Sequence, residues 1–214
     1  SRGTRTLAAA GDAAGCAMLT SRGRLTLRRV VIEGSEGCGL DVIDEGSVLD
    51  AEDLVVRRTL PVDGLRSVGA LVVQDGATAT VRRALVEESV AIGVLVNGAA
   101  LDAADLVVRG TRPDAVVPIL GHGIQVGFGG MAVLERVELL DNRSTGLFVS
   151  LSGSRAIASD LRITGTRPTV RADGRLLGGF GVHVQDGGDA DLARVVVEDC
   201  VAIGVSLNAG TMTL

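Results

Sequence analysis

The chain has 214 residues, of which 46% are hydrophobic, yet its only aromatic side chains are three Phe; Trp and Tyr are absent. All 21 basic residues are Arg, and the net charge is −5 with the two signs interspersed. Phosphate backbones are bound by clustered basic patches, so this pattern argues against a nucleic-acid face, and no apolar run is long enough to span a membrane.

Read in chain order, the first signal is a recurring glycine: Gly15, Gly39, Gly69, Gly93, Gly123, Gly146, Gly181 and Gly204, at intervals that alternate between 23–24 and 30–35 residues. An apolar–any–apolar triplet follows, as in Leu40-Asp41-Val42, Val94-Leu95-Val96, Leu147-Phe148-Val149 and Val205-Ser206-Leu207. A period of 20 to 50 residues marks a solenoid, and two-residue alternation within the period marks strands. The prediction is an all-β parallel β-helix of about seven to eight coils. It forms one domain over residues 1–214, since each coil of a solenoid contacts only its neighbours. Val, Leu, Ile and Ala must fill its narrow core. Turn signals close the triplets at Asp75-Gly76, Asn97-Gly98, Ser152-Gly153 and Asp186-Gly187.

Two coil types alternate. Short coils carry Leu27–Glu33, Val81–Glu87, Leu134–Val137 and Leu192–Glu198; long coils carry Asp53–Arg57, Asp105–Arg109 and Asp160–Thr164. The extra length of the long coils opens at Arg2–Arg5, Arg57–Pro61, Arg109–Pro113 and Thr164–Pro168. Proline there directs the chain out of the ladder without removing a strand donor. These loops must stack on one flank in every second layer, where solenoids often place a binding surface. A carbohydrate or a protein is the partner expected there.

Two charge columns follow from the same alignment. One reads Arg29, Asp53, Arg83, Asp105, Arg136, Asp160, Arg194; the other reads Arg2, Glu33, Arg57, Glu87, Arg109, then Leu140, Thr164 and Glu198. Opposite charges one strand spacing apart hold register, because a slip of one coil sets Arg beside Arg.

No catalytic, cofactor-binding or metal-ligating constellation emerges, and no cofactor is predicted. Cys16 lies one residue after its repeat glycine and Cys38 one before. In adjacent coils that offset separates them by roughly 8 Å, beyond the ~7 Å limit of a disulfide. Cys16, Cys38 and Cys200 therefore read as small apolar side chains. His183 should point outward beside Phe148 and Ser206, and His122 should sit at a loop end in an offset column, an unsuitable metal pair. Asp12, Asp63, Asp114 and Asp173 occur one per long loop without forming a column, as turn-forming aspartates do. The outward triplet positions read Ala17, Asp41, Leu71, Leu95, Gln125, Phe148, His183 and Ser206. Their apolar members predict a face covered by the long loops or, as the alternative, a contact surface. Both ends read as uncapped, which suggests a segment of a longer solenoid or head-to-tail self-association.

Glycine, apolar-x-apolar strand and Asn/Asp-Gly turn together resemble the right-handed parallel β-helix repeats of the pectate-lyase-like superfamily, over essentially the whole chain. The resemblance implies a right-handed winding and an extracellular or cell-surface bacterial protein. Family enzymes use clustered aspartates, often with Arg or Lys and calcium, in an exterior groove; no such cluster maps onto this sequence, and Lys is absent. The expected function is a non-enzymatic structural or adhesive segment. The alternative is a polysaccharide-binding or polysaccharide-degrading domain with its site on the long loops.

Overall fold

The computed structural model describes residues 16–61, 69–114, 120–170 and 173–214. Strands alternate between six and ten residues. The chain runs through β1 (Cys16–Ser21), β2 (Arg24–Glu33), β3 (Cys38–Ile43), β4 (Val48–Arg57), β5 (Gly69–Gln74) and β6 (Thr78–Glu87). It continues through β7 (Ile92–Asn97), β8 (Ala100–Arg109), β9 (His122–Gly127), β10 (Met131–Leu140), β11 (Thr145–Ser150) and β12 (Arg155–Thr164). The hairpin β13 (Pro168–Val170) and β14 (Leu176–Gly178) follows, then β15 (Phe180–Gln185), β16 (Asp189–Glu198), β17 (Ile203–Asn208) and β18 (Thr211–Thr213).

The six-residue strands stack in parallel as one sheet, β1-β3-β5-β7-β9-β11-β15-β17, and the ten-residue strands stack as a second, ending in β18. This is a parallel β-helix, as the period predicted. A thinner third ladder closes each coil, marked by bridges Glu36↔Leu60, Val90↔Arg112 and Arg143↔Arg167. The core between the sheets is aliphatic: Leu40, Leu49, Leu54, Leu101, Leu106, Leu134, Leu147 and Leu161 are all at most 2% exposed. The turn signals hold, with Gly76, Gly98, Gly153 and Gly187 all at positive φ.

The first charge column is also a backbone device. Arg29, Asp53, Arg83, Asp105, Arg136, Asp160 and Arg194 all adopt left-handed φ, between 51° and 56°. The pairing register skips them: Glu52 pairs with Arg82 and Leu54 with Ala84, while Asp53 and Arg83 stand outside the ladder. One extra residue resets the inward–outward alternation and bends the strand, as a β-bulge does. In β4 the buried positions are thus Leu49 and Ala51 before the bend, Leu54 and Val56 after it. Each Arg of the column reaches back to the Asp of the preceding coil with a two-pronged contact. Arg83 donates to Asp53 at 2.8 and 3.2 Å, Arg136 to Asp105 at 2.6 and 3.1 Å, and Arg194 to Asp160 at 2.6 and 2.8 Å. In the second column Arg57 meets Glu33 at 2.8 Å and Arg109 meets Glu87 at 2.6 Å; Arg2 lies outside the described residues.

The register corrects two of the eight glycines. Met18 pairs with Leu40 and Leu40 with Leu71, so Ala17 and Ala70 stand opposite Gly39 where the spacing placed Gly15 and Gly69. The column demands smallness. A Cβ at Gly93 would come within 2.4 Å of Val108 Cγ1 and 2.7 Å of the Gly123 carbonyl, whereas alanine is accommodated at the two other coils. Leu19 and Val72 therefore replace Ala17 and Leu71 as outward residues; Leu71 points into the core and is fully buried.

The same shift overturns the cysteine expectation. Cys16 lies directly opposite Cys38, with Cα atoms 4.6 Å apart, and the two form a disulfide across 22 residues. Cys200 is free and half-buried.

A column of small polar residues lines the inner wall beside the third ladder: Ser35, Thr59, Ser89, Thr111, Asn142 and Thr166, each at most 2% exposed. Asn142 accepts from the Thr111 amide and donates to the Val108 carbonyl, both at 3.0 Å. Thr59 Oγ1 accepts from the Val90 amide. The sequence places Thr59, Thr111 and Thr166 at loop openings but gives no sign that Ser35, Ser89 and Asn142 share their column.

Candidate functional site

The long-loop flank bears a cleft of about 770 Å³. Its floor is the corner of the coil, where Glu88, Gly110, Asp141 and Gly165 share left-handed φ. Arg109 and Glu87 line it as an ion pair; Arg112, Arg143 and the strand Pro168–Val170 complete it. The predicted flank is thus a concave surface built from three successive coils and the β13–β14 hairpin.

Arg112 and Arg143 line the cleft, and they share one ladder position with Arg167 of the next coil. The amide of each donates to the same carbonyl of the preceding coil: Arg112 to Ser89, Arg143 to Thr111 and Arg167 to Asn142, at 2.8, 3.1 and 3.1 Å. All three side chains are exposed, and none lies within 4.0 Å of a carboxylate among the described residues. Arg112 and Arg167 share the long-coil openings Arg109–Pro113 and Thr164–Pro168, but Arg143 lies in a short coil, whose corner the sequence columns did not cover.

The outer face of the first sheet carries a second feature. Val72, Leu95, Ile92, Ala91 and Cys38 form a small apolar cluster there, with Leu120 at the end of a long loop packed against it. Loop cover of this face is what the apolar triplet positions predicted. Further along, Phe148 stacks between His122, with ring centroids 4.9 Å apart, and His183, at 5.6 Å; Phe180 stacks on His183 at 4.8 Å. With the phenyl ring between them, the two imidazoles face different surroundings and cannot chelate one ion. His183 lies beside Phe148 and Ser206 as its column requires. Its Nε2 meets Gln185 Oε1 at 2.7 Å. His122 is buried, and burial, followed by the nearby His183, pushes its pKa down to about 4. His122 Nδ1, His183 Nδ1 and Gln125 Oε1 are buried without a hydrogen-bond partner.

Asp41 shares this face. Burial raises its pKa to about 6, against the opposing hydrogen bonds from Gln74 Nε2 at 3.0 and 3.1 Å. Cys16, Cys38 and Asp41 bring their polar atoms within 4.8 Å of one another, but the disulfide occupies both sulfurs.

Of the loop aspartates, Asp12 and Asp63 lie outside the described residues. Asp114 is buried, 1% exposed. Asp173 is exposed and accepts from the Arg175 amide at 3.1 Å, the local bond of a turn.

No family model matches the chain, and no curated protein matches it. Among solved structures, it is similar to a trypsin-treated form of QnrB1, a plasmid-mediated fluoroquinolone resistance protein. Identity is 15%, coverage is 92% of this chain and 90% of that one, and the TM-score is 0.23; nothing about function is drawn from this likeness.

Proposed function

We propose that the chain is a non-enzymatic structural or adhesive β-solenoid segment of a secreted or surface-exposed bacterial protein, allied to the pectate-lyase-like β-helices. The observation that carries this reading is where the charge goes. Arg28, Arg57, Arg82, Arg83, Arg109, Arg136, Arg155, Arg162 and Arg194 each reach a carboxylate of an adjacent coil. Side chains that hold one coil to the next fix register and spacing; they are not arranged around a substrate. Interleaved opposite charge also keeps Asp53, Asp105 and Asp160 below the usual carboxylate range, through the hydrogen bond from each partner Arg, which is the wrong direction for an acid catalyst. The Cys16–Cys38 disulfide supports an extracytoplasmic location, since such bonds persist in oxidising compartments.

End-to-end association belongs to the same reading. Sedimentation across a concentration series tests it, and a monomer throughout would remove it.

A second reading, a polysaccharide-binding or polysaccharide-degrading domain, is favoured by the long-loop cleft alone. A screen for glycan binding and for lyase or hydrolase activity on the isolated chain separates the two. Turnover of any glycan, lost in Asp141→Asn with the fold intact, would overturn the structural reading.

A further inference from the structure

The ten-residue strands β2, β4, β6, β8, β10, β12 and β16 define seven coils and six interfaces between them. Ion pairs cross five of these. Arg57–Glu33 crosses the first, Arg83–Asp53 the second, Arg109–Glu87 the third, Arg136–Asp105 the fourth, and Arg194–Asp160 the interface between β12 and β16. Between β10 and β12 none is found among the described residues. There the second charge column presents Leu140 to Thr164, and Arg143 is bridged directly to Arg167.

Like charges opposite each other on a ladder are destabilising. Here three stack in consecutive coils, Arg112, Arg143 and Arg167, about 4.8 Å apart per step, in a protein that elsewhere alternates sign from coil to coil. Two of the three line a cleft of about 770 Å³. Arginine presents a planar fork of donors suited to oxyanions. Three forks at one ladder position supply more paired donors than the two oxygens of one carboxylate can use, and suit a tetrahedral group that presents three or four oxygens. Glu88 and Asp141 line the same cleft two residues earlier on their coils, so an anion is held over the arginine column and not over the corner.

We propose that Arg112, Arg143 and Arg167 form a binding site for a tetrahedral oxyanion, a phosphate or sulfate group, free or as an ester on a larger molecule. Bound there, the anion bridges the one interface at which no ion pair is found among the described residues, and ties its coils as an Arg–carboxylate pair does at the other five.

Isothermal titration calorimetry with tripolyphosphate, a sulfated dextran oligomer, oligogalacturonate and uncharged dextran tests this, together with thermal unfolding in each. Either or both of the first two should bind and raise Tm, the one that binds identifying the free or the esterified source. Binding should weaken as salt rises. Arg143→Gln should lower the affinity at least tenfold while the apo protein keeps or gains Tm, because a repulsion is removed; a gain in Tm excludes misfolding as the cause. Arg24→Gln, an exposed arginine off the column, should bind as the parent does. The proposal is overturned if neither oxyanion probe binds, if Arg24→Gln loses as much as Arg143→Gln, or if oligogalacturonate binds equally well. Uncharged dextran binding without the oxyanion probes would support the glycan reading of the cleft and reject this one.

Discussion

The two sheets share a core but treat their outer faces in opposite ways. Outside the second sheet lie water and ladders of Arg, Asp and Glu, so its strands alternate apolar and charged residues. Outside the first lie Val72 and Leu95, with Leu120 packed against them, so β5 and β7 are buried on both sides. A parallel sheet normally needs both faces covered. Here one sheet is covered and the other is made tolerant of water by ion pairs. The lesson is that the loops do structural work on the first face as well as forming the cleft.

The largest effect should come from the core both sheets share. Leu106→Ala, fully buried between them, should cost about 2–5 kcal/mol, read as a fall in the midpoint of chemical unfolding. If the loss were no larger than that from an exposed residue such as Val133, the shared core would be wrongly drawn. Next is the disulfide, which ties the first two coils of the covered sheet. Reduction or Cys38→Ser should lower stability by about 2–4 kcal/mol. Non-reducing electrophoresis and thiol titration that found three free thiols would remove the bond altogether.

The covered face also titrates. His122 has a folded pKa near 4 against an ordinary value of 6.5, so its contribution is complete above pH 6.5 and is lost as pH falls toward 4, by up to about 3 kcal/mol. Asp41 runs the other way: its folded pKa near 6 exceeds its ordinary 3.8, so its contribution is complete below about pH 4 and is lost as pH rises through 6. The two oppose each other between pH 4 and 6. His122→Leu should flatten the acid limb of the Tm–pH profile, and Asp41→Asn should raise Tm above pH 6. An unchanged profile in both variants would mean that this face is open to water. The smallest effect belongs to the exposed ladders. Asp105→Ala should lower Tm slightly, and less so near 1 M salt, where surface pairs are screened. Asp105→Asn should lose less, because Asn also tolerates the left-handed backbone at that position.

Much of this architecture was legible in the residues. The period and the alternation gave the two stacked sheets, and the Arg–Asp column was visible before its geometry. Its left-handed φ was not, because arginine is an unusual residue for that conformation and the column read as pure electrostatics. The register failed at Ala17 and Ala70 because the packing demand is for a small side chain, which alanine also meets, while Gly15 and Gly69 stand nearby as decoys. The disulfide was missed through that one-residue shift. The arginine column was missed because Arg143 lies in a short-coil corner that was not aligned with the long-coil openings holding Arg112 and Arg167; backbone hydrogen bonds show that the three share a position.

The seam between β10 and β12 has a mechanical consequence. In a stack where each layer touches only its neighbours, a pull along the axis loads all junctions in series, and the layers part where the fewest side chains clasp. With Leu140 and Thr164 facing each other there and two arginines pushing apart, tearing should begin after residue 143 and leave two blocks that each remain wound. Such a fuse would set the force at which the stack yields.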